Sequence, residues 1–401
     1  MLRRTFLHLA AATAALGLTA GQSALAEDAP ETIRIGFVAS LSGPMAPGTL
    51  TTTVPNYRLW AKDVNEAGGL MLSKYGKRVP IELIELDDRS NIEDAVRLTE
   101  RLITAEKVDL LLPPWSTGTN LAVAPVYAKY GYPLLANTAV NSMIPQLAKR
   151  WPNSFWFLGM PEEGSLALVN LLQKLNGEGK IGKKVAVVSV AHQFGAELMK
   201  AARPALEDAG FEIVYDANYP PDVKDLSGQI KAAKAESPDS FIAFSYPRDT
   251  IMLTEAAQVN EFDPKVFFTA VGTAFPVFKQ KFGDKANGIF GIGGWDETLP
   301  GAKEYFDRHV AVTGQEPDRW ASPVTYASLQ ILQQAIERTG EIDRAKIIQE
   351  ISTGTFDTII GPVKLENNRL TRLWWIGQWQ DGAFKGIAPT NMPNAVDPVL
   401  K

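Results

Sequence analysis

The chain has 401 residues, 45% of them hydrophobic and 21% charged, with 40 Lys and Arg against 45 Asp and Glu for a formal net charge of −5. That length and apolar content suit two globular domains, and the acidic balance argues against nucleic acid or an anionic membrane surface as partner. With 0 Cys, thiol catalysis and cysteine-bearing metal clusters are excluded.

Residues 1–26 start with Arg3-Arg4, continue through an apolar centre and end on Ala24-Leu25-Ala26, the pattern of a cleaved export signal. Arg3-Arg4-Thr5-Phe6-Leu7 resembles the twin-arginine signal of bacteria, whose route carries proteins already folded in the cytoplasm. A chain folded in a reducing compartment gains nothing from disulfides, and it has no cysteine for a lipid anchor. A freely soluble periplasmic protein is the expectation. No later stretch approaches the ~18 consecutive apolar residues of a spanning helix.

Apolar runs alternate with amphipathic segments. Strands are expected at 33–40 and 79–87, and helices at 54–67 and 92–105. Two short apolar runs follow within 109–141, separated by a helical segment. After Trp156 the rhythm restarts: helix 162–175, strand 184–189, helix 196–209, strand 211–215, helix 225–236, strand 240–245, helix 249–259, strand 266–269. Such alternation means α/β layers with parallel sheets and right-handed crossovers. Pro125 is awkward, because a proline inside a helix costs ~3 kcal/mol; the helix after Asn120 is expected to start near Pro125 or to kink there.

The stretch 109–141 carries the most chemistry. Leu110-Leu111-Leu112 runs into Pro113-Pro114 and the turn Trp115-Ser116-Thr117-Gly118-Thr119-Asn120; the second run ends Leu134-Leu135-Ala136-Asn137-Thr138. Both strands thus end in hydroxyl-rich loops, at the sheet edge where open α/β folds bind ligands. Ser116 and Thr117 lead into a helix, so hydroxyls and unsatisfied backbone N–H groups converge on one point and favour a carboxylate. An ordinary helix cap with no ligand is the competing reading.

Several motifs fall in a familiar order: Ile33-Arg34-Ile35-Gly36, Leu41-Ser42-Gly43-Pro44, Asp63-Val64-Asn65-Glu66-Ala67-Gly68-Gly69, Glu85-Leu86-Asp87-Asp88, Ser116-Thr117, Tyr132-Pro133-Leu134, His192-Gln193-Phe194-Gly195, Thr325-Tyr326-Ala327 and Ile360-Gly361-Pro362. Over nearly all of residues 31–390 the chain resembles the branched-chain amino-acid-type, leucine-binding-protein-like periplasmic binding proteins of ABC importers. The resemblance implies a type I periplasmic binding protein, with two Rossmann-like lobes on a three-strand hinge and a ligand cleft between them. The lobes would be 31–157 plus 294–362, and 158–293 plus 363–390. It also implies closure by hinge motion on a bound ligand, an inner-membrane ABC permease as partner, no catalysis and no cofactor.

The family holds its ligand's carboxylate at the position of Ser116. Its amino-acid binders hold the ammonium with a hydroxyl residue after the next strand and an acidic residue of the second lobe, positions that fall on Val140 and Val271. Neither accepts a hydrogen bond, and losing one partner of a buried ion pair costs roughly 3 to 5 kcal/mol. An α-amino acid should therefore bind poorly unless Asn137, Thr138 or Asn141 substitutes.

Trp115, Phe194 and Tyr246 lie at strand ends, where aromatic walls with few polar anchors suit an apolar or aromatic body bearing one carboxylate; packing between lobes is the ordinary alternative for each. Trp295 is a candidate for the hinge side. An enzyme is not expected. His192 and His309 are the histidines beyond the signal, there is no G-x-S-x-G elbow, residues 177–184 imitate a P-loop without its Ser or Thr, and Asp87-Asp88 reads as a turn that caps the helix at Ile92. The expected ligand is an aromatic or phenylpropanoid-type acid lacking an α-amino group. Branched-chain or other amino acids and short amides are the alternative, as is a ligand-sensing module of the same fold. A monomer without metal is expected.

Overall fold

A computed structural model describes residues 29–299 and 301–400; the export signal read at 1–26 lies outside the described residues. No helix among them is long and apolar enough to cross a membrane.

The first lobe is built on Ile33–Ala39, which pairs in parallel with Ile81–Asp87 on one side and Leu110–Leu112 on the other, Ile35 lying opposite both Leu83 and Leu110. Leu134–Ala136 continues this lobe, paired in parallel with Ser154–Trp156. Ile33–Ala39, Leu110–Leu112 and Leu134–Ala136 are buried nearly throughout because helices cover parallel sheets on both faces, while the edge strand Ile81–Asp87 carries two Glu and an Asp among its apolar residues. Pro80 cuts the expected 79–87 strand short: Lys77–Val79 turns away to pair antiparallel with Leu70–Leu72, as a residue without an N–H predicts.

The second lobe carries a seven-stranded sheet. Ser240–Phe244 lies between Lys184–Val190 and Val266–Thr269, all parallel, with Glu212–Tyr219 at one edge. Beyond Phe290–Gly291, the antiparallel hairpin Ile376–Gln380 and Ala383–Ala388 completes it. The long helix Ala321–Thr339 packs instead on Val54–Glu66 in the first lobe. The chain therefore passes between lobes three times, after Trp156, after Gly291 and before Ile376.

Two expectations need correction. The helix after Trp115 runs unbroken from Thr117 to Tyr130 with Pro125 inside it. It does not wait for Pro125, because that proline sits on the exposed face, where water can satisfy the carbonyl it leaves unbonded. Asp87 and Asp88 do organise a turn, but the cap of Ile92–Thr104 is Asn91, whose side chain accepts from Asp94 N–H. Asp88 instead holds Ser40 Oγ at 2.6 Å and Ser90 N–H at 2.8 Å.

Candidate functional site

Ser116 stands at the N-cap of the helix Thr117–Tyr130 with φ +91° and ψ +156°. A non-glycine residue at such angles costs on the order of 1–3 kcal/mol, and such strain collects at ligand sites. Three contacts enforce it. Ser116 N–H donates to Thr138 Oγ1 at 3.3 Å, and Asn120 reaches Ser116 O through its backbone N–H at 3.0 Å and its side-chain amide at 2.9 Å. The Ser116 hydroxyl makes no cap bond and lies 3.1 Å from Thr119 Oγ1. At this end the first N–H groups of the helix have no partner within it, and the peptide dipoles add a positive partial charge.

Other residues of this loop pair serve as braces. Thr117 Oγ1 accepts from Val140 N–H at 3.2 Å, tying the two strand-end loops together. Thr138 Oγ1 also donates to Pro114 O at 3.3 Å. Asn137 points into the lobe interior, its amide donating to Ser328 Oγ at 3.2 Å and Tyr57 Oη at 3.4 Å.

From the second lobe, Tyr246 caps the helix Pro247–Val259 and turns its ring toward Trp115 and Phe194. Its centroid lies 5.1 Å from that of Trp115 and 5.3 Å from that of Phe194, the latter pair stacked within 19°. The Tyr246 hydroxyl meets His192 Nδ1 at 2.9 Å, and through its ring on Trp115 the two lobes touch beside Ser116. Burial raises the tyrosine's pKa and lowers that of His192, which keeps both neutral. Gly118 lies so close to this wall that a Cβ there would stand 3.0 Å from His192 Cε1.

Val140 and Val271 are both buried, in the same apolar cluster as Trp115, Phe194 and Tyr246. The Val271 backbone is held by Ser245 and Thr250. Two carboxylates approach this region, and both are engaged. Glu197 Oε1 accepts from Asn141 Nδ2 at 3.0 Å and Gln193 Nε2 at 2.7 Å, while Oε2 accepts from Ser142 N–H at 3.1 Å. Asn141 Oδ1 is taken by Met143 N–H. Asp249 accepts from Tyr246 N–H, and burial pushes its pKa up to about 6.

The structure thus brings Trp115, Ser116, Thr117, Thr138, Val140, Phe194 and Tyr246 to one interface and turns Asn137 away from it. Reading the sequence missed Glu197, although its spacing of four from Gln193 on a helix beginning at a strand end was a usable signal. His192, part of the motif His192-Gln193-Phe194-Gly195, stands at the N-cap of the helix Gln193–Asp208 and gains its partner only from Tyr246.

A family model described as periplasmic binding protein matches residues 32–383. The leucine-specific-binding protein of Salmonella typhimurium is 20% identical over 358 residues, 87% of this chain and 89% of that one. Among solved structures, the branched-chain amino acid transporter substrate binding protein of Streptococcus pneumoniae in complex with isoleucine matches with a TM-score of 0.75 and 21% identity. The match covers 89% of this chain and all of the other. A solute binding protein of an ABC transporter from Rhodopseudomonas palustris, in complex with 3,4-dihydroxybenzoic acid, matches with a TM-score of 0.76 and 20% identity over 92% and 99% of the two chains. With a family match over most of its length and this two-lobed architecture, the chain belongs to the periplasmic binding proteins, in their leucine-binding-protein-like, type I form.

Proposed function

We propose that the chain is the periplasmic receptor of an ABC importer and captures a small carboxylate lacking an α-amino group, aromatic or phenylpropanoid in type. Lobes 31–157 plus 294–362 and 158–293 plus 363–390 close on it about the three crossings, and an inner-membrane permease receives it. The receptor performs no chemistry on its cargo.

The observation that carries this reading is the asymmetry of the cleft. Ser116, strained at a helix N-terminus, offers an anion its seat. Trp115 beside it and Tyr246 and Phe194 across from it supply an aromatic wall, and buried valines occupy 140 and 271, the positions where the family resemblance puts the acceptors of an ammonium. Isoleucine and a dihydroxybenzoic acid both occur as ligands within this fold; the valines favour the second class.

Glu197 supports one competing reading, an amino-acid ligand. Its carboxylate could meet an ammonium if it released Asn141 and Ser142. Isothermal titration with paired ligands decides: 3-phenylpropanoate beside phenylalanine, and 4-methylpentanoate beside leucine. The missing ammonium partner is worth roughly 3 kcal/mol or more, so each acid should bind at least about a hundredfold tighter than its amino acid. Tighter binding of leucine and phenylalanine would overturn the proposal and turn attention to Glu197.

A further inference from the structure

Gly48 lies in the short helix Ala46–Thr52. Its φ is not positive, so no backbone requirement selects glycine there, and glycine is a poorer helix residue than alanine. The reason for it is a neighbour. A Cβ built on Gly48 would stand 2.2 Å from Trp115 Cζ2, 2.4 Å from Cε2 and 2.6 Å from Cη2, far inside contact distance. The indole therefore lies directly on the helix backbone. On its other side it meets Tyr246, and the same helix touches Pro247–Val259 across the cleft, so the ring has no slack in which to step aside.

We propose that Gly48 is a specificity-determining residue: by withholding a side chain it seats the Trp115 indole against the helix, and the seated indole forms the flat wall beside Ser116. Any side chain at 48 drives the indole toward Tyr246 and into the space a ligand needs. That the wall favours a planar ring over a branched chain rests on the function proposed above; that Gly48 sets its position does not.

The experiment is a double-variant cycle of Gly48→Ala and Trp115→Leu, titrated with 3,4-dihydroxybenzoate and isoleucine. The ratio of the two affinities should change at least tenfold on Gly48→Ala in the Trp115 protein and less than twofold in the Trp115→Leu background. An equal change in both backgrounds, or none in either, overturns the inference. A wild type that prefers isoleucine sinks the ligand assignment alone, since the change in ratio still reads the seat. If Gly48→Ala does not fold, a double variant that folds upholds the inference, and one that fails while Trp115→Leu folds overturns it.

Discussion

The two rims of the cleft are built from opposite materials. The first-lobe rim is a lattice of short polar side chains, Ser116, Thr117, Thr138 and Asn120, whose hydrogen bonds fix backbone to backbone across two loops. The second-lobe rim is a row of rings, His192, Tyr246 and Phe194, backed by two carboxylates that are already engaged. The first presents polar groups at one place, where the proposed carboxylate would sit; the second offers area with little direction. A ligand suited to both has a single anionic end and a flat apolar body.

The largest effect expected from breaking this contrast concerns stability. Asp249 is a carboxyl that burial holds at about 6, above its ordinary 3.8. Because the folded pKa is raised, the stability tied to its protonated form is fully present below about pH 4 and is lost as pH rises through about 6, for roughly 3 kcal/mol by neutrality. Asp249→Asn should thus melt higher than the wild type at pH 7.5 and show little advantage at pH 4, by calorimetry. A gap that does not widen with pH would mean that the ionised form is well solvated in the fold.

Next comes the polar rim. Ser116→Ala removes a hydroxyl from an anion seat, and hydrogen bonds to charged groups are worth about 1.5–3 kcal/mol. Affinity for 3,4-dihydroxybenzoate should fall roughly ten- to a hundredfold, and an unchanged titration would move the seat elsewhere.

Glu197→Gln tests the seam between the rims. It replaces one of the two oxygens that accept from Asn141 and Ser142 by an amide donor, so affinity should fall about tenfold for every ligand alike, at a cost typical of a buried donor left unpaired. A loss confined to amino acids would instead place Glu197 on the ligand. Smallest is Phe194→Leu, which removes a stacked pair worth ~0.5–1.5 kcal/mol. It should weaken aromatic acids a few-fold and leave 4-methylpentanoate untouched; equal losses for both would make Phe194 a packing residue only.

The α/β layering was legible because the inner parallel strands are short apolar runs bounded by turns, which periodicity detects directly; the edge strands Ile81–Asp87 and Glu212–Tyr219 mix polar with apolar residues. The expected helix start near Pro125 failed because the cost of a helical proline depends on whether its freed carbonyl meets water, and exposure is a tertiary fact. The cleft divides in the same way. Ser116, Trp115 and Tyr246 announce themselves by standing just past strand ends. Thr325-Tyr326-Ala327 carries part of the family resemblance through packing, with Tyr326 donating to Asp63 within the first lobe. Glu197 and Gly48 were silent because each has meaning only against a residue far away in sequence, and the last is defined by an atom it lacks.

The bonds from Glu197 to Asn141 and Ser142 join protein to protein and touch no cargo. Such bonds lower the free energy of every closed complex by the same amount, so they lengthen residence time without improving discrimination. Selectivity is left to the aromatic wall and the strained serine. Parting the lobes breaks these bonds together with the contact between Trp115 and Tyr246.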